Sequence, residues 1–147
     1  MIAVDTNLLV YAHREDSPWH EKALIRLAGL ADSGSPWAIP WPCVHEFLAI
    51  VTHPKIYNPP TPLATALAAI EAWQESPGLR LLGEGAGYFE KLAAQATAGN
   101  IKGPKIHDAR IATICLHHRV KKLWSADRDF SSFPQLVCEN PLIAQTK

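Results

Sequence analysis

No apolar run in this chain approaches the roughly 20 residues that a helix needs to cross a bilayer, so no membrane span is expected. The opening Met1-Ile2-Ala3-Val4-Asp5 has neither the basic region nor the long apolar segment of a secretory leader. It is read as the first structural element, with the cytoplasm as the expected compartment. Cysteine is scarce: Cys43, Cys115 and Cys138 are odd in number and lack short paired spacing, which suits a reducing compartment and gives no zinc signature. They are expected to be packing residues. A charge excess is also missing, since 14 Lys plus Arg balance 14 Asp plus Glu. Long-range attraction to nucleic acid is therefore not built into the whole molecule, and any RNA or DNA contact must rest on a local patch or on a metal. Internal repeats and low-complexity segments are absent as well.

What is present fits a compact fold. With 48% hydrophobic and 19% charged residues, the chain is globular in composition rather than disordered. Its 147 residues make one domain, 1–147, able to bury roughly two-thirds of its unfolded surface. Ile2-Ala3-Val4 reads as a buried strand that ends at the capping triplet Asp5-Thr6-Asn7, with a helix from about Leu8. Trp19, Ala23, Leu24, Leu27 and Leu30 recur at helical spacing after Pro18, and Asp32-Ser33-Gly34-Ser35 ends that pattern. Trp37-Ala38-Ile39 is a second strand, followed by Pro40, Pro42 and a helix with Val44, Phe47, Leu48 and Val51 on one face and Glu46 on another. Pro54, Pro59, Pro60 and Pro62 mark a loop. An Ala-rich helix over 63–75 presents Leu63, Leu67, Ile70 and Trp73 on one side, expected to be mostly core, though such a helix also suits a dimer. Leu79-Arg80-Leu81-Leu82 is a third strand. A helix over 86–98 follows, then a buried helix with Ile106, Ala109, Ile111, Ala112, Ile114 and Cys115, and strands at 122–125 and 136–138. Strands alternating with helices predict a mostly parallel sheet covered on both faces, with a site outside the carboxyl ends of the strands.

Four acids can reach that edge. Asp5 and Asp127 follow strands, and Glu46 and Asp108 open helices that follow loops. Carboxylates gathered in a partly buried site repel one another, so a fold that clusters them needs a cation or raised pKa values. Helix capping is the other use for acids near helix N-termini. Hard oxygen donors without Cys or paired His favour Mg²⁺ or Mn²⁺ over zinc. Such ions support hydrolysis of a phosphate ester, one metal activating water while the same or a second ion, about 3.5 to 4 Å away, stabilises the leaving oxygen.

Met1-Ile2-Ala3-Val4-Asp5-Thr6-Asn7-Leu8-Leu9, Pro42-Cys43-Val44-His45-Glu46-Phe47, Asp108-Ala109-Arg110-Ile111-Ala112 and Trp124-Ser125-Ala126-Asp127-Arg128-Asp129-Phe130 together resemble the PIN-domain family. The likeness is closest to VapC-type toxins of bacterial toxin–antitoxin pairs, and it runs essentially the full length of the chain. Each motif alone is weak, and their order and spacing carry the specificity. The resemblance implies a PIN-like α/β/α sandwich, Mg²⁺ or Mn²⁺ dependence, endonucleolytic cleavage of RNA, a homodimer, and inhibition by a cognate VapB-type antitoxin. By position it puts the acidic quartet on Asp5, Glu46, Asp108 and Asp127, a small polar helper on Asn7, and the usual hydroxyl on Ser125. Asp5, Asp108 and Asp127 would bind metal, while Glu46 holds a second ion or orients the attacking water.

Asp127 and Asp129 lie two apart, and Asp127 is preferred as the ligand, leaving Asp129 to cap the turn or act through water. The Asn7 amide would position a metal-bound water or a phosphate oxygen. Lys105, Arg110 and Arg128, with Lys102 and Arg14, would form a basic rim for an RNA backbone or a solvated surface. His45 and His107 each precede an acid but point about 100° away on a helix, as surface or groove histidines. Trp73 and Trp124 read as core, with Trp19, Trp37 and Trp41 open to base stacking. Clustered acids without a cation would repel, so replacing Asp5 with Asn or adding Mg²⁺ is expected to raise the melting temperature. Three rivals stand beside the nuclease. One is a phosphatase that phosphorylates an aspartate after the first strand, which wants a second acid where this chain has Asn7. The second is a phosphoacceptor receiver domain. The third is a non-catalytic metal-binding or RNA-binding PIN-like module.

Overall fold

The computed structural model describes residues 1–126 and 128–143. Among them, five strands alternate with six helices: β1 (Ile2–Val4), α1 (Thr6–His13), α2 (His20–Asp32), β2 (Trp37–Pro40), α3 (Trp41–Val51), α4 (Leu63–Gln74), β3 (Leu79–Leu82), α5 (Tyr88–Ala98), α6 (Lys105–His117), β4 (Lys122–Trp124) and β5 (Val137–Glu139). The strands form one sheet in the order β3-β2-β1-β4-β5. Every pairing is parallel, with Ile2 opposite both Trp37 and Lys122. The order reverses beside β1: the chain winds outward through β2 and β3, then returns to add β4 and β5 on the other side. A crevice outside the carboxyl ends of β1 and β4 follows from that topology.

Local chemistry explains the element boundaries. The side chain of Asp5 accepts the backbone N–H of Thr6 at the start of α1, the capping expected of an acid in extended conformation. Pro42 lies in the first turn of α3, where its missing N–H costs no helix bond. Gly78 has no room for a Cβ, which would fall 2.5 Å from the carbonyl oxygen of Ser35. That contact lets the turn before β3 lie against the strand entry of β2. Ala3, Val4, Trp37, Ile39 and Leu123 of the sheet pack with Leu9, Phe47, Val51, Ile111 and Ile114 of the helices into one core. No helix among the described residues is long and apolar enough to cross a membrane.

Three packing expectations need correction. On α4 the buried stripe is Ala66 and Ile70 with Trp73 partly buried, whereas Leu63 and Leu67 are 59% and 42% exposed. Cys43 and Cys115 are core residues, but Cys138 is exposed on the edge strand β5. Ile106 is exposed in the first turn of α6, and only from Ala109 onward does that helix enter the core.

Candidate active site

Asp5 stands one residue past β1, wholly buried, and its backbone N–H extends the sheet ladder to the carbonyl of Trp124 at 2.9 Å. Its carboxylate accepts three hydrogen bonds. Oδ1 accepts from Thr6 N–H at 2.8 Å and from the Cys43 thiol at 3.5 Å, while Oδ2 accepts from the Ser125 hydroxyl at 2.7 Å. Burial and then the charge of Asp5 push the Cys43 thiol well above its usual pKa. The thiol therefore stays protonated and acts as a donor. Cys115, deep in α6, is raised to about 12 by burial and then by Asp5.

Asn7 ties the two strand ends together. Its Nδ2 donates to Ser125 Oγ at 3.3 Å, and its Oδ1 accepts the Ala126 N–H at 3.1 Å. Each end of the amide holds the segment leading to Asp127, so the amide positions protein, and its second N–H and second lone pair remain for a water or a phosphate oxygen. Replacing Asn7 with Ala strands the Ala126 N–H and frees the Ser125 side chain. We expect a loss of about 1–3 kcal/mol in stability and of roughly 10- to 100-fold in cleavage rate, the range for residues that orient metal ligands. Thermal melts and initial rates check this; an unchanged rate would remove Asn7 from the site.

Glu46 lies in the second turn of α3 and Asp108 in the first turn of α6, where the helix N-terminus favours a carboxylate. Their side chains are 35% and 25% exposed. They converge with Asp5 on one cation, the guanidinium of Arg128. Its Nε lies 3.4 Å from Asp5 Oδ2, its Nη1 donates to Asp108 Oδ1 at 3.0 Å, and its Nη2 donates to Glu46 Oε2. Burial pulls the pKa of Arg128 down, but Asp5 and Glu46 outweigh it and leave the guanidinium held above its usual value. The structure thus brings three of the four expected acids together; the fourth, Asp127, lies outside the described residues. Among the described residues no three acidic, histidine or cysteine side chains converge on a common point with metal-binding geometry, because these three point at the guanidinium. The donor set nevertheless fits a hard divalent ion: it is all carboxylate oxygen, and its present arrangement is already organised around a positive charge. This overturns the expectation of unrelieved repulsion in the metal-free site, because Arg128 supplies the counter-charge.

The cluster forms one wall of a cleft of about 590 Å³ lined by His45, Glu46, Lys105, His107, Asp108, Arg110 and Arg128, with Pro42 and Pro104. Lys105, Arg110 and Arg128 therefore lie where a basic rim was expected, although Arg110 also pairs with Glu84 at 2.5 Å. Arg14 is committed elsewhere: it binds Asp16 at 2.7 Å and Thr61 at 3.2 Å and stacks over the Tyr57 ring. The two histidines are groove residues, and the exposed Trp41 stacks on His45 one turn along α3, with ring centres 6.1 Å apart. Asp129 turns away to cap the next turn, its Oδ1 accepting the Ser131 N–H at 2.8 Å, and that bond lowers its pKa. Sequence reasoning missed the bridging role of Arg128 and the thiol of Cys43. The i, i+4 spacing of Trp41 and His45 did carry a signal for their stack.

A phosphate-ester hydrolase built on clustered carboxylates at the switch point of a parallel sheet is the class that this geometry defines. Residues 2–136 match the family model described as the PIN domain, and the chain belongs to that family. Among curated relatives, ribonuclease VapC48 of Mycobacterium tuberculosis is 30% identical over 138 residues, covering 93% of this chain and 94% of the relative. Ribonuclease VapC43 of the same organism is 32% identical over 146 residues and 99% of each chain. Two solved structures share the fold. VapBC2 of Rickettsia felis, bound to a DNA fragment from its promoter, aligns with a TM-score of 0.65 at 20% identity over 95% of this chain and 98% of that one. VapC20 of Mycobacterium tuberculosis, described as a toxin cleaving the sarcin-ricin loop, aligns with a TM-score of 0.64 at 16% identity over 90% and 94%. Ribonucleases with PIN domains are in general dependent on a divalent metal.

Proposed function

We propose that this chain is a metal-dependent endoribonuclease and the toxin of a VapBC-type pair, acting in the cytoplasm as a single-domain subunit of a homodimer. The observation that carries the proposal is the convergence of Asp5, Glu46 and Asp108 on one cation at the switch point of the sheet. Asp5 and Asp108, with Asp127, would hold Mg²⁺ or Mn²⁺, and Glu46 would hold a second ion or orient the attacking water. A metal held there would supply an activated water and a Lewis acid for the phosphate. The chain's own residues do the rest. Ser125 and the Cys43 thiol orient the Asp5 carboxylate, Asn7 fixes the β4 end, and Lys105 with Arg110 draws the RNA backbone into the cleft. The exposed face of Trp41 offers a stacking surface for an unpaired base. Hydrolysis is a single displacement without a covalent enzyme intermediate. Intact acids at Asp5, Glu46 and Asp108, with Asn7 in place of a second acid, favour this reading over a non-catalytic module and over an aspartyl-phosphate phosphatase.

The antitoxin reading has its own support. A groove of about 530 Å³ runs between α2 and α4, with Ala28, Ala31, Ala69, Ala72 and Trp73 along its walls and His13, Glu15, His20 and Asp32 also lining it. Small residues on both walls admit the close approach of another backbone. We place a segment of a VapB-type antitoxin there. A co-expressed partner should silence cleavage by the wild type, and Ala69→Glu, which puts a charge in the groove, should restore it. Undiminished inhibition of a folded Ala69→Glu protein would rule the groove out. Exposed Leu63 and Leu67 on α4 supply apolar surface for a second copy.

The nuclease itself is tested by incubating purified, antitoxin-free protein with total bacterial RNA, with Mg²⁺ or with chelator. Discrete fragments that appear only with metal, and not with an Asp108→Asn variant, are expected. No cleavage by folded protein would shift the reading to a narrower substrate or to the binding module.

A further inference from the structure

Arg128 occupies a position that a purely structural ion pair does not need. One planar guanidinium reaches three carboxylates from three separate elements and stands between Asp5, Glu46 and Asp108, the acids to which the metal-nuclease reading assigns the cation. A divalent ion bound at about 2.1 Å from those oxygens would stand against the guanidinium nitrogens, cation facing cation, in a site whose Asp5 wall is fully buried. Both cannot sit there together. Arg128 also lines the cleft that holds Lys105 and Arg110, so a rotation of its side chain away from the acids leaves it facing the groove. A guanidinium is matched in shape and charge to a phosphate, to which it donates two parallel bonds.

We propose that Arg128 is a substrate-binding cation held in reserve. In the free protein it serves as the counter-ion of the acidic cluster, it yields that place to a divalent ion, and the released guanidinium grips a non-bridging oxygen of the RNA phosphate in the adjoining cleft. The inference rests on the metal-nuclease reading above and adds to it an exchange between two cations. It explains how the cluster stays folded without metal, and it ties metal occupancy to the appearance of a phosphate-binding group. The exchange involves no covalent change. It also lowers the apparent metal affinity by the fraction of molecules in which Arg128 has vacated the site, so removing Arg128 restores the intrinsic affinity.

The test is Mn²⁺ titration by calorimetry on the whole chain, comparing wild type with Arg128→Gln and Arg128→Lys, alongside thermal melts and cleavage kinetics. The Gln variant should bind Mn²⁺ about tenfold or more tightly, the gain expected when a site closed nine-tenths of the time is opened. Without metal it should melt lower than wild type, and Mn²⁺ should raise its melting temperature by more. Its kcat/KM on RNA should fall even though its metal site is better filled. The Lys variant should show intermediate metal affinity, and because it keeps the positive charge it guards against a Gln variant too unstable to measure. Tighter metal binding combined with poorer cleavage is the signature. Equal or weaker Mn²⁺ affinity in both variants would overturn the exchange while leaving the nuclease reading intact; no Mn²⁺ binding by any of the three proteins would overturn both.

Discussion

Replacing Asp5 with Asn should lower RNA cleavage by roughly 10³-fold, the effect of withdrawing several kcal/mol of metal-borne stabilisation from a charged transition state. The substitution is nearly isosteric, so the loss reports charge and ligation rather than packing. It should also lower stability, by about 1–3 kcal/mol. The Asp5 carboxylate accepts from Thr6, Ser125 and Cys43 and faces Arg128. An amide can keep only part of that set, since its NH₂ end must meet another donor. The sequence alone suggested the opposite sign, a gain from relieved repulsion, and Arg128 reverses it. Initial rates and thermal melts on the same preparation check both parts. A variant that cleaves at more than a tenth of the wild-type rate, or that melts higher than wild type, would contradict the place given to Asp5.

Truncating Trp37 to Ala should cost about 3–5 kcal/mol, the range for deleting a large buried aromatic side chain. Trp37 is 1% exposed at the start of the interior strand β2 and contributes to the main core. Its indole N–H donates to Ser76 Oγ at 3.0 Å, and the Ser76 hydroxyl passes a bond to the Ala31 carbonyl at 2.8 Å. The side chain thus fills volume and also links β2 to the end of α2 through the turn before β3. Trp37→Phe separates the two roles. It keeps much of the volume and loses the hydrogen bond, so a cost of roughly 1–2 kcal/mol is expected. Chemical denaturation measures both. Equal losses for Phe and Ala would show that the bond rather than the volume dominates, and a loss below about 1 kcal/mol for Ala would contradict the core assignment.

The order of elements was readable because the chain states its periods clearly. Ile2-Ala3-Val4 ends at a capping acid, Trp37-Ala38-Ile39 at prolines that suit a helix start, and Lys122-Leu123-Trp124 at a polar segment. A parallel sheet then sends all these ends to one edge. That logic gathered Asp5, Glu46, Asp108 and Asp127, and the first three converge on Arg128 while Asp127 lies outside the described residues. What escaped it were choices that periodicity leaves open. On α4, Leu63, Leu67 and Ile70 satisfy helical spacing no better than Ala66, Ile70 and Trp73, and packing against α3, where Trp73 meets Phe47, chose the second stripe. Cys138 alternates as a strand residue, but an edge strand buries less than a central one. Arg128 was assigned to the rim because it is charged and adjacent to the acids in sequence. That a long side chain folds back to bridge three carboxylates from distant elements is a matter of tertiary geometry, with no local pattern to announce it. Spacing left Asp129 to cap the turn or to act through water, and its side chain does accept the Ser131 N–H.

Locating a bound Mn²⁺ by anomalous scattering from crystals of the antitoxin-free protein tests the central claim most directly. A peak is expected about 2.1 Å from carboxylate oxygens of Asp5 and Asp108, with the Arg128 guanidinium withdrawn from them toward the cleft. A well-ordered acidic cluster with no peak at saturating Mn²⁺, or a peak bound elsewhere while Arg128 still bridges Asp5, Glu46 and Asp108, would contradict it.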